Sequence, residues 1–485
     1  INFSLGGFGG EYGQALSSVL PMETTDVATG DKLGVSASLV DWNIGGTKTF
    51  RQSSLSFNAD YTSMGLYNSL FPDRCDWASP YRKLSGEMQY KSDISSACVL
   101  KSYVGYDLSS VGQNIDCRNL AFKEHNVYAN VTLKANIGGG YSLFAGVANS
   151  SVITDIDDAL ARGDHYYNFR NEVHLKTELR KVFSLALKMS AGAEDYIRNS
   201  KLRYGGYQYH VDYNLLAAHV DAYWRIVPRL FLNVSGRAEH LGYAGNWMLM
   251  PRATVSYVPD KTFQISAMFG RYSQAAEDEY IAKSGMSLPQ STSDHAILSL
   301  QYNKKKTLVR IEPYYKKYRH LPLQADASYT AEGYGTSKGI DFFFENHSLV
   351  KNLTTTVSYA FNDSERLYLD YTSLRAPEYA SRHNIRLTAK YSIGKMIFGV
   401  AESYASGRKF TSGTTPYYNS VDANLTWLVS PKVIVYTSIN NILGRTNVFG
   451  FQSDGLPQTA SRDRFFYIGI FVSLKNNKAY DISNF

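Results

Sequence analysis

Apolar and polar residues alternate along almost the whole chain, beginning at Leu33. A period of two is typical of β-strands with one apolar and one polar face, because successive side chains point to opposite sides of a strand. The clearest examples are the segments 127–137, 385–392 and 466–474. No stretch has the length and capping residues expected of a substantial helix. The pattern therefore predicts an all-β protein.

The connections between the strands alternate between short and long. Short turn signals occur at 138–140, 227–229, 258–260, 303–305, 392–395 and 429–432. Longer polar stretches lie between them, at 64–83, 151–165, 271–293, 317–333, 361–381 and 443–463. A soluble β-sandwich has the same period but no reason to keep its long connections on one side, whereas a membrane barrel does. Counting strands from Leu33 to Leu474 predicts a transmembrane antiparallel β-barrel of about 22 strands, the class whose lumen is plugged.

Composition agrees with a membrane barrel and disagrees with a helical membrane protein. Aromatic residues make up 14% of the chain, with 38 Tyr against 5 Trp. Tyrosine suits both the interfacial girdles and the polar lumen of a barrel, because its ring is apolar and its hydroxyl polar. The mean hydropathy is −0.28, and no segment approaches the roughly 18 apolar residues of a transmembrane helix.

Charge and motif content exclude several function classes. The net charge is +7, and the Lys and Arg residues are scattered without a basic stripe, so we expect no nucleic-acid partner. The chain lacks GxSxG, HExxH and P-loop motifs, so we expect neither an enzyme nor a cofactor. The carboxylates at 277–279 are interpreted as a solvated charge run in a loop. No signal peptide begins at Ile1, so we expect a fragment of a longer exported precursor.

Several stretches resemble TonB-dependent outer-membrane transporters. The glycine-rich run 6–13 and the short apolar strand after it resemble the end of the plug domain in that family. Similar stretches follow in the family's order at 270–274, 278–280, 286–290, 440–445 and 464–469. The resemblance extends from about Gly6 to Leu474. It implies that residues 1–31 are the C-terminal remnant of a plug with its linker, and that residues 32–485 are the barrel with long extracellular loops.

The resemblance also implies a location and a function. The barrel is expected in the outer membrane of a Gram-negative bacterium, in contact with its lipids and lipopolysaccharide. It is expected to import a scarce nutrient, such as a metal chelate, cofactor, peptide or glycan. A TonB energy-transducing complex is expected to act through a segment not in this chain. The alternative is a non-transporting receptor or structural barrel that works with a surface lipoprotein. A passive porin is a third hypothesis, disfavoured by the plug-like beginning.

Exposed aromatic residues in the outer loops are the candidates for substrate contact, because large apolar side chains left in water often mark a binding site. Packing between loops, or a place in the aromatic girdle, is the competing explanation for each of them. The candidates are Trp77, Tyr166, Tyr167, Tyr207, Trp247 and Tyr280.

An acidic loop offers a calcium-site hypothesis. Asp155, Asp157 and Asp158 supply several carboxylate oxygens, which hard cations prefer. Their spacing lacks the glycine and the distal glutamate of an EF-hand, so a solvated acidic loop is the favoured interpretation and no metal site is assigned firmly. His295 is interpreted as a hydrogen-bonding residue, and not a ligand, at the start of a strand.

The three cysteines leave two hypotheses open. Cys75 and Cys117 fall in predicted outer loops of neighbouring hairpins, where an oxidising compartment would allow a disulfide between them. Cys98 lies near a predicted turn on the opposite side and is expected to be free. Three unpaired thiols are the equally weighted alternative. Without CxxC spacing, a zinc site is not expected.

Overall fold

A closed antiparallel sheet of 22 strands dominates the protein. The computed structural model describes residues 6–22, 24, 27–115, 118–157, 165–347, 349–452 and 455–476. Each barrel strand pairs with the next along the chain, and the first strand pairs with the last, from Lys32 opposite Asn476 to Ser38 opposite Gly469. The predicted fold class, an all-β barrel of about 22 strands, is confirmed.

Most barrel strands are longer than those of soluble sheets, as tilted membrane strands require. The first eleven are β1 (Lys32–Ser38), β2 (Asp41–Thr49), β3 (Ser53–Ser63), β4 (Ser79–Ser95), β5 (Cys98–Ile115), β6 (Arg118–Gly138), β7 (Tyr141–Asp157), β8 (Tyr166–Val182), β9 (Leu187–Tyr204), β10 (Tyr207–Val227) and β11 (Leu230–Leu241). The next eight are β12 (Trp247–Tyr257), β13 (Phe263–Gln274), β14 (Ser291–Lys304), β15 (Thr307–Ala325), β16 (Ser328–Asn346), β17 (Leu353–Leu367), β18 (His383–Ile393) and β19 (Met396–Ala405).

The remaining elements include the last three barrel strands and small structures in the loops. The barrel closes with β22 (Tyr418–Ser430), β23 (Val433–Asn440) and β26 (Phe465–Asn476). Two loop hairpins consist of β20 (Lys409–Phe410) with β21 (Gly413–Thr414), and β24 (Val448–Phe451) with β25 (Pro457–Thr459). Two short helices, α1 (Gly65–Leu70) and α2 (Asp278–Lys283), lie in long loops. Among the described residues, no helix has the length and apolarity needed to cross a membrane.

The outer face of the barrel is apolar and its inner face is largely polar. On β26, Phe466, Ile468 and Ile470 are exposed on the outside. The buried residues of the wall include many charged and hydroxyl side chains, such as Glu239 and Ser293. Lipid on one side and a polar lumen on the other explain this division. The period of two seen in the sequence therefore reports the two faces of the barrel wall.

Short and long connections separate to opposite ends, as predicted. The turns after β6, β10, β14 and β18 are short, and we call their side the turn end. The connections after β3, β13, β17, β19 and β23 are long, and we call theirs the loop end. One predicted loop, 317–333, is wrong: β15 continues to Ala325 and β16 begins at Ser328. Residues 151–157 likewise belong to β7. The parts of strands that extend beyond the membrane face water on both sides and carry polar residues on both faces. Their sequence therefore resembles that of a loop.

Candidate binding site in the barrel lumen

Residues 6–17, which we call the lumen segment, lie inside the barrel against the wall formed by β8–β15. Side chains of that wall donate hydrogen bonds to the backbone carbonyl oxygens of the segment. These bonds join Arg237 to Gly10 (3.1 Å), Lys176 to Glu11 (2.7 Å), Arg252 to Tyr12 (2.8 Å), His295 to Leu16 (2.9 Å) and Lys316 to Ser17 (3.1 Å). The wall therefore holds the segment through its backbone, and the hydrogen-bonding role expected for His295 is confirmed.

Glycines let the lumen segment approach the wall this closely. A Cβ atom at Gly13 would lie 2.5 Å from Cζ of Arg237. Gly7 adopts a φ of 71°, which side chains rarely allow, and a Cβ there would lie 2.9 Å from Cγ of Met268. The N–H of Gly10 donates to Asp221 at 2.8 Å. The glycine-rich sequence is thus explained by contact with residues more than 200 positions away.

A buried ion cluster lies beneath the segment. The Arg237 side chain is 0% exposed and pairs with Glu239 at 2.6 Å and Glu194 at 3.3 Å. Lys176 also pairs with Glu194, at 2.9 Å. Gln14 of the lumen segment donates to Glu239 at 3.0 Å, which ties the segment to the cluster. Burial removes each charged group from water, and the attraction to its partners offsets that free-energy cost. Removing one member therefore leaves buried charges without a partner and destabilises the fold.

The chain then crosses the lumen to the opposite wall. His295, which binds the segment, belongs to β14, whereas the N–H of Ala28 donates to Ser54 of β3 at 3.2 Å. Ten barrel strands separate β3 from β14 in either direction around the ring, so the two walls face each other. Asp31 completes the crossing through ion pairs with Lys48 (2.8 Å) and Lys475 (2.9 Å) at the turn end.

Glu11 makes the docking of the segment sensitive to pH. Burial raises the pKa of its carboxyl, and the neighbouring Glu178 and Asp221 raise it further. Arg180 and Lys176 oppose this shift without cancelling it. An acid whose pKa is higher in the docked state favours docking when it is protonated. The docked segment therefore gains stability as pH falls below this raised pKa and loses that contribution as pH rises through it.

Replacing Glu11 with glutamine is expected to strengthen docking at neutral pH and to flatten its pH dependence. Hydrogen-exchange protection factors of residues 8–13, compared between about pH 5 and about pH 8, measure this effect. In the wild type, protection should fall as pH rises, while Glu11→Gln should stay protected. Glu332→Gln, which removes an exposed carboxylate on β16, is the matched control. A Glu11→Gln profile identical to that of the wild type would contradict this explanation.

Three of the six predicted aromatic contact residues lie around the mouth of the lumen at the loop end, which we call the vestibule. Tyr166 is on the same face of β8 as Lys176, and Tyr207, which is 66% exposed, is on the same face of β10 as His219. Tyr280 belongs to α2, and its ring packs against Tyr329 with centroids 4.6 Å apart. These three remain proposed contact residues.

The other three aromatics are placed differently. Trp247 is 59% exposed and shares the outward face of β12 with Leu249. Tyr167 is also on an outward face and stacks beneath Arg203, 4.8 Å from the ring centroid. Trp77 donates its indole N–H to Asp73 at 2.9 Å within its own loop. Their placement favours the competing explanations, which are packing within a loop for Trp77 and a place on the outer face of the barrel for Trp247 and Tyr167.

The loop that contains α2 folds inward across the vestibule. Asp278 pairs with Arg198 of β9 at 3.3 Å, and Glu277 lies 3.8 Å from Arg170 of β8. Ile281 is fully buried in an apolar cluster with Val211, Ala276 and Leu288. The interpretation of 277–279 as a solvated charge run is therefore wrong for Asp278, whose side chain is 12% exposed and whose counter-charge comes from a distant strand. Glu277 and Glu279 stay largely in solvent, and Glu279 pairs with Lys283 of the same helix. Nothing in the local sequence indicates the pairing of Asp278 with Arg198.

The acidic loop brings two predicted metal ligands near a histidine. His165 Nε2 lies 2.8 Å from Asp155 and 3.7 Å from Asp157. Asp158, the third predicted ligand, lies outside the described residues. The sequence did not single out His165, which follows the acidic run after several intervening residues. The calcium site stays a prediction.

Two of the three cysteines lie in the part of the chain that the structure describes. Cys75 is half-buried in the loop between β3 and β4, and Cys98 begins β5 at the turn end, as predicted. These two cysteines do not pair with each other. Cys117 lies outside the described residues, so the Cys75–Cys117 disulfide stays a prediction.

Comparison with known proteins identifies the family. The family model described as TonB dependent receptor-like, beta-barrel matches residues 8–442. The chain belongs to this family. A search of curated proteins finds no significant sequence relative of the receptor. Family membership places the receptor in the outer membrane of a Gram-negative bacterium, so the loop end is extracellular. It also confirms the resemblance found in the sequence and the expectation that the protein is a receptor or transporter and not an enzyme.

Solved structures share the fold of the receptor. The outer membrane transporter YddB from Escherichia coli superposes with a TM-score of 0.77 at 11% identity, covering 97% of this chain and 84% of that one. The ferric-catecholate import receptor Fiu from E. coli K12 gives 0.77 at 11% identity, covering 96% and 85%. The FrpB iron transporter from Neisseria meningitidis gives 0.77 at 10% identity, covering 97% and 87%. At such identities the similarity concerns the fold alone.

Proposed function

We propose that the receptor is an active importer that carries a scarce nutrient through its barrel, and that residues 1–31 are the last part of the plug that closes the lumen. One observation supports this most strongly. The lumen segment binds the β8–β15 wall and the chain then crosses to Ser54 on the opposite side. A segment of the chain inside the lumen blocks passive flow and must move before a solute can pass. A passive porin instead keeps a water-filled channel.

The contacts of the lumen segment suit a plug that moves. Many of them are hydrogen bonds to backbone carbonyls, from donors such as Arg237 and Lys316. Each such bond from a charged donor contributes only about 1.5–3 kcal/mol net, because water replaces it when the contact breaks. A TonB energy-transducing complex that pulls on a segment outside this chain can therefore displace the plug stepwise. Docking by large apolar surfaces would resist that motion more strongly.

The cargo is a nutrient too large or too rare for passive diffusion, such as a metal chelate, cofactor, peptide or glycan. Among the structural neighbours, Fiu is named as a ferric-catecholate import receptor, FrpB as an iron transporter and OprC as a copper transporter. We propose that the cargo first meets the vestibule, where Tyr166, Tyr207 and Tyr280 lie. Outer-membrane lipids and lipopolysaccharide are proposed to surround the barrel.

The test is uptake with and without energy coupling. The ligand that co-purifies with the full-length receptor is labelled and offered to cells that produce the receptor. Uptake is expected to stop when the proton gradient is collapsed or TonB is deleted, while binding at the cell surface persists. A small solute that enters through porins is the control. Uptake that continues without energy coupling would defeat the importer. Binding without uptake in energised cells would support a non-transporting receptor, with or without a surface lipoprotein.

A further inference from the structure

A polar cavity of about 470 Å³ lies between the lumen segment and the wall formed by β14–β18. Leu16 and Ser17 of the segment line one side of it. Tyr318, Arg366 and Tyr379 line the side nearer the extracellular loops. The cavity thus lies where a ligand entering from the vestibule would meet both the barrel wall and the segment that closes the lumen.

Arg366 is the feature that distinguishes this cavity. Its guanidinium lies over the ring of Tyr318, 4.2 Å from the centroid, with Tyr368 at 5.8 Å and Tyr379 at 5.9 Å. No described residue accepts a hydrogen bond from this guanidinium or pairs with it, and its Nε is buried without a partner. Tyrosine ring faces stabilise the cation but leave the N–H groups at its edge unsatisfied. The N–H groups of Arg366 can therefore donate hydrogen bonds to an acceptor that none of the described residues supplies.

Neighbouring arginines at the same end of the barrel are already neutralised. Arg375 stacks on Tyr371, 3.8 Å from the centroid, and pairs with Glu378 at 3.1 Å. Arg382 pairs with Asp363 at 3.0 Å. The Nε of Arg375 is also buried without a partner, so what distinguishes Arg366 is that it stacks on tyrosine without a carboxylate partner among the described residues.

The carboxylates that line the cavity do not fill this role. Glu312 lies 3.4 Å from Arg310, with which it pairs. Asp341 lines the cavity and interacts electrostatically with Lys316. Neither carboxylate forms an ion pair with Arg366 in the described structure. The cavity therefore contains charged groups that interact with one another toward the turn end. Nearer the extracellular loops it contains Arg366, which lacks a hydrogen-bond acceptor among the described residues.

The wall is shaped to hold Arg366 in this position. Gly335 of β16 lies beneath it, and a Cβ atom there would lie 2.7 Å from Cγ of Arg366. Gly339 lies beneath Tyr314 in the same way, with a Cβ position 2.6 Å from the tyrosine hydroxyl. Glycine weakens a strand interior and is expected there where another group approaches closely. Because these glycines have no side chains, Arg366 and Tyr314 can lie directly against the backbone of β16.

We propose that this cavity binds the carboxylate of a flat or aromatic organic anion, with Arg366 as its principal contact. A guanidinium presents paired N–H groups in one plane, which matches the two oxygens of a carboxylate. Tyr379, which is 59% exposed, provides a ring face for the rest of the ligand, while the buried ring of Tyr318 supports the guanidinium. Asn362 and Ser364 provide further polar contacts. The proposal rests on the importer function and narrows its cargo to molecules that carry such a carboxylate.

Binding is tested with benzoate as the probe and benzamide as its neutral analogue. The full-length receptor is purified from outer membranes in detergent, and saturation-transfer NMR detects weak binding. Benzoate is expected to bind and benzamide is not. Arg366→Gln is expected to weaken benzoate binding by about tenfold or more, the effect of losing a charge-assisted pair. Arg366→Lys keeps the charge but not the paired geometry, so it should also bind more weakly than the wild type.

Arg382→Gln is the matched control, because it removes an exposed arginine of the same region that already has a carboxylate partner. It is expected to bind benzoate like the wild type. Equal binding of benzoate and benzamide, a preference for inorganic phosphate, or no effect of Arg366→Gln would each overturn the proposal. These assays need no TonB and no membrane potential. Failure of the anion site is therefore distinguishable from failure of the importer function, which only the uptake experiment addresses.

Discussion

Arg237→Met is expected to destabilise the folded receptor by about 3 kcal/mol or more. The substitution keeps most of the side-chain volume but removes the guanidinium that separates Glu194 from Glu239. Both carboxylates then stay buried with less compensation, and the lumen segment loses the bond to the Gly10 carbonyl. The measurements are the thermal unfolding midpoint in detergent and the protection of residues 8–13 from hydrogen exchange. Both are expected to fall together.

Two further variants separate the charge effect from the packing effect. The triple variant Arg237→Met, Glu194→Gln, Glu239→Gln removes the unpaired charges and should recover much of the lost stability. Arg225→Met replaces an exposed arginine at the end of β10 and should change the midpoint little. If Arg237→Met unfolds at the same temperature as Arg225→Met, the buried cluster does not contribute as proposed.

The barrel was predictable because its determinants are local. The two faces of each strand produce a period of two in the sequence. Glycines such as Gly139 and Gly394 indicate the turns, where they adopt φ values of 56° and 57°. The strand number follows from counting these signals. The error at 317–333 arose where local signals fail, since a strand that extends into water carries polar residues on both faces.

The site was less predictable because it depends on pairs that are distant in sequence. The glycine-rich run was visible, but its reason is the close approach of Gly13 to Arg237. The sequence predicts Asp278 in solvent because its partner, Arg198, belongs to another hairpin. The sequence around Arg366 does not indicate a binding site. Arg366 is distinctive because no described residue pairs with it, and a missing partner cannot be read from local sequence. Periodicity defines which face a residue occupies, but it does not define which residue faces it across the lumen.

A second set of long-range contacts joins the first and last long loops near the place where the barrel closes. Tyr67 of α1 is 1% exposed and stacks on Phe465 with centroids 4.6 Å apart. Its hydroxyl accepts a hydrogen bond from the N–H of Phe466 at 2.9 Å. Arg462 lies 4.7 Å from the centre of the same ring. One tyrosine thus connects the loop after β3 to the beginning of β26.

Ion pairs reinforce this junction. Arg462 pairs with Asp73 at 2.7 Å, and Arg74 pairs with Asp463 in the opposite sense. The N–H of Arg74 also donates to the carbonyl of Ser461 at 3.0 Å. The hydrogen bond from Arg74 holds the pKa of Asp463 below its usual range. The Arg74–Asp463 pair is partly exposed and contributes little alone. The Arg462–Asp73 pair is more buried, and Arg462 packs on the ring of Tyr67, so we expect this buried ring to dominate the junction.

Tyr67→Ala is therefore expected to destabilise the closed arrangement of these two loops by about 3–5 kcal/mol, the typical cost of removing a large buried aromatic side chain. Hydrogen exchange in residues 64–78 should accelerate strongly, while the central barrel strands, held by their own ladders, should change little. Tyr67→Phe is the control, since it keeps the stacked ring and loses one hydrogen bond of about 1 kcal/mol. Equally fast exchange in both variants would mean that the hydroxyl, and not the ring, holds the loops. Slow exchange in both would mean that the paired arginines suffice, so the two contributions to the junction can be ranked by one experiment.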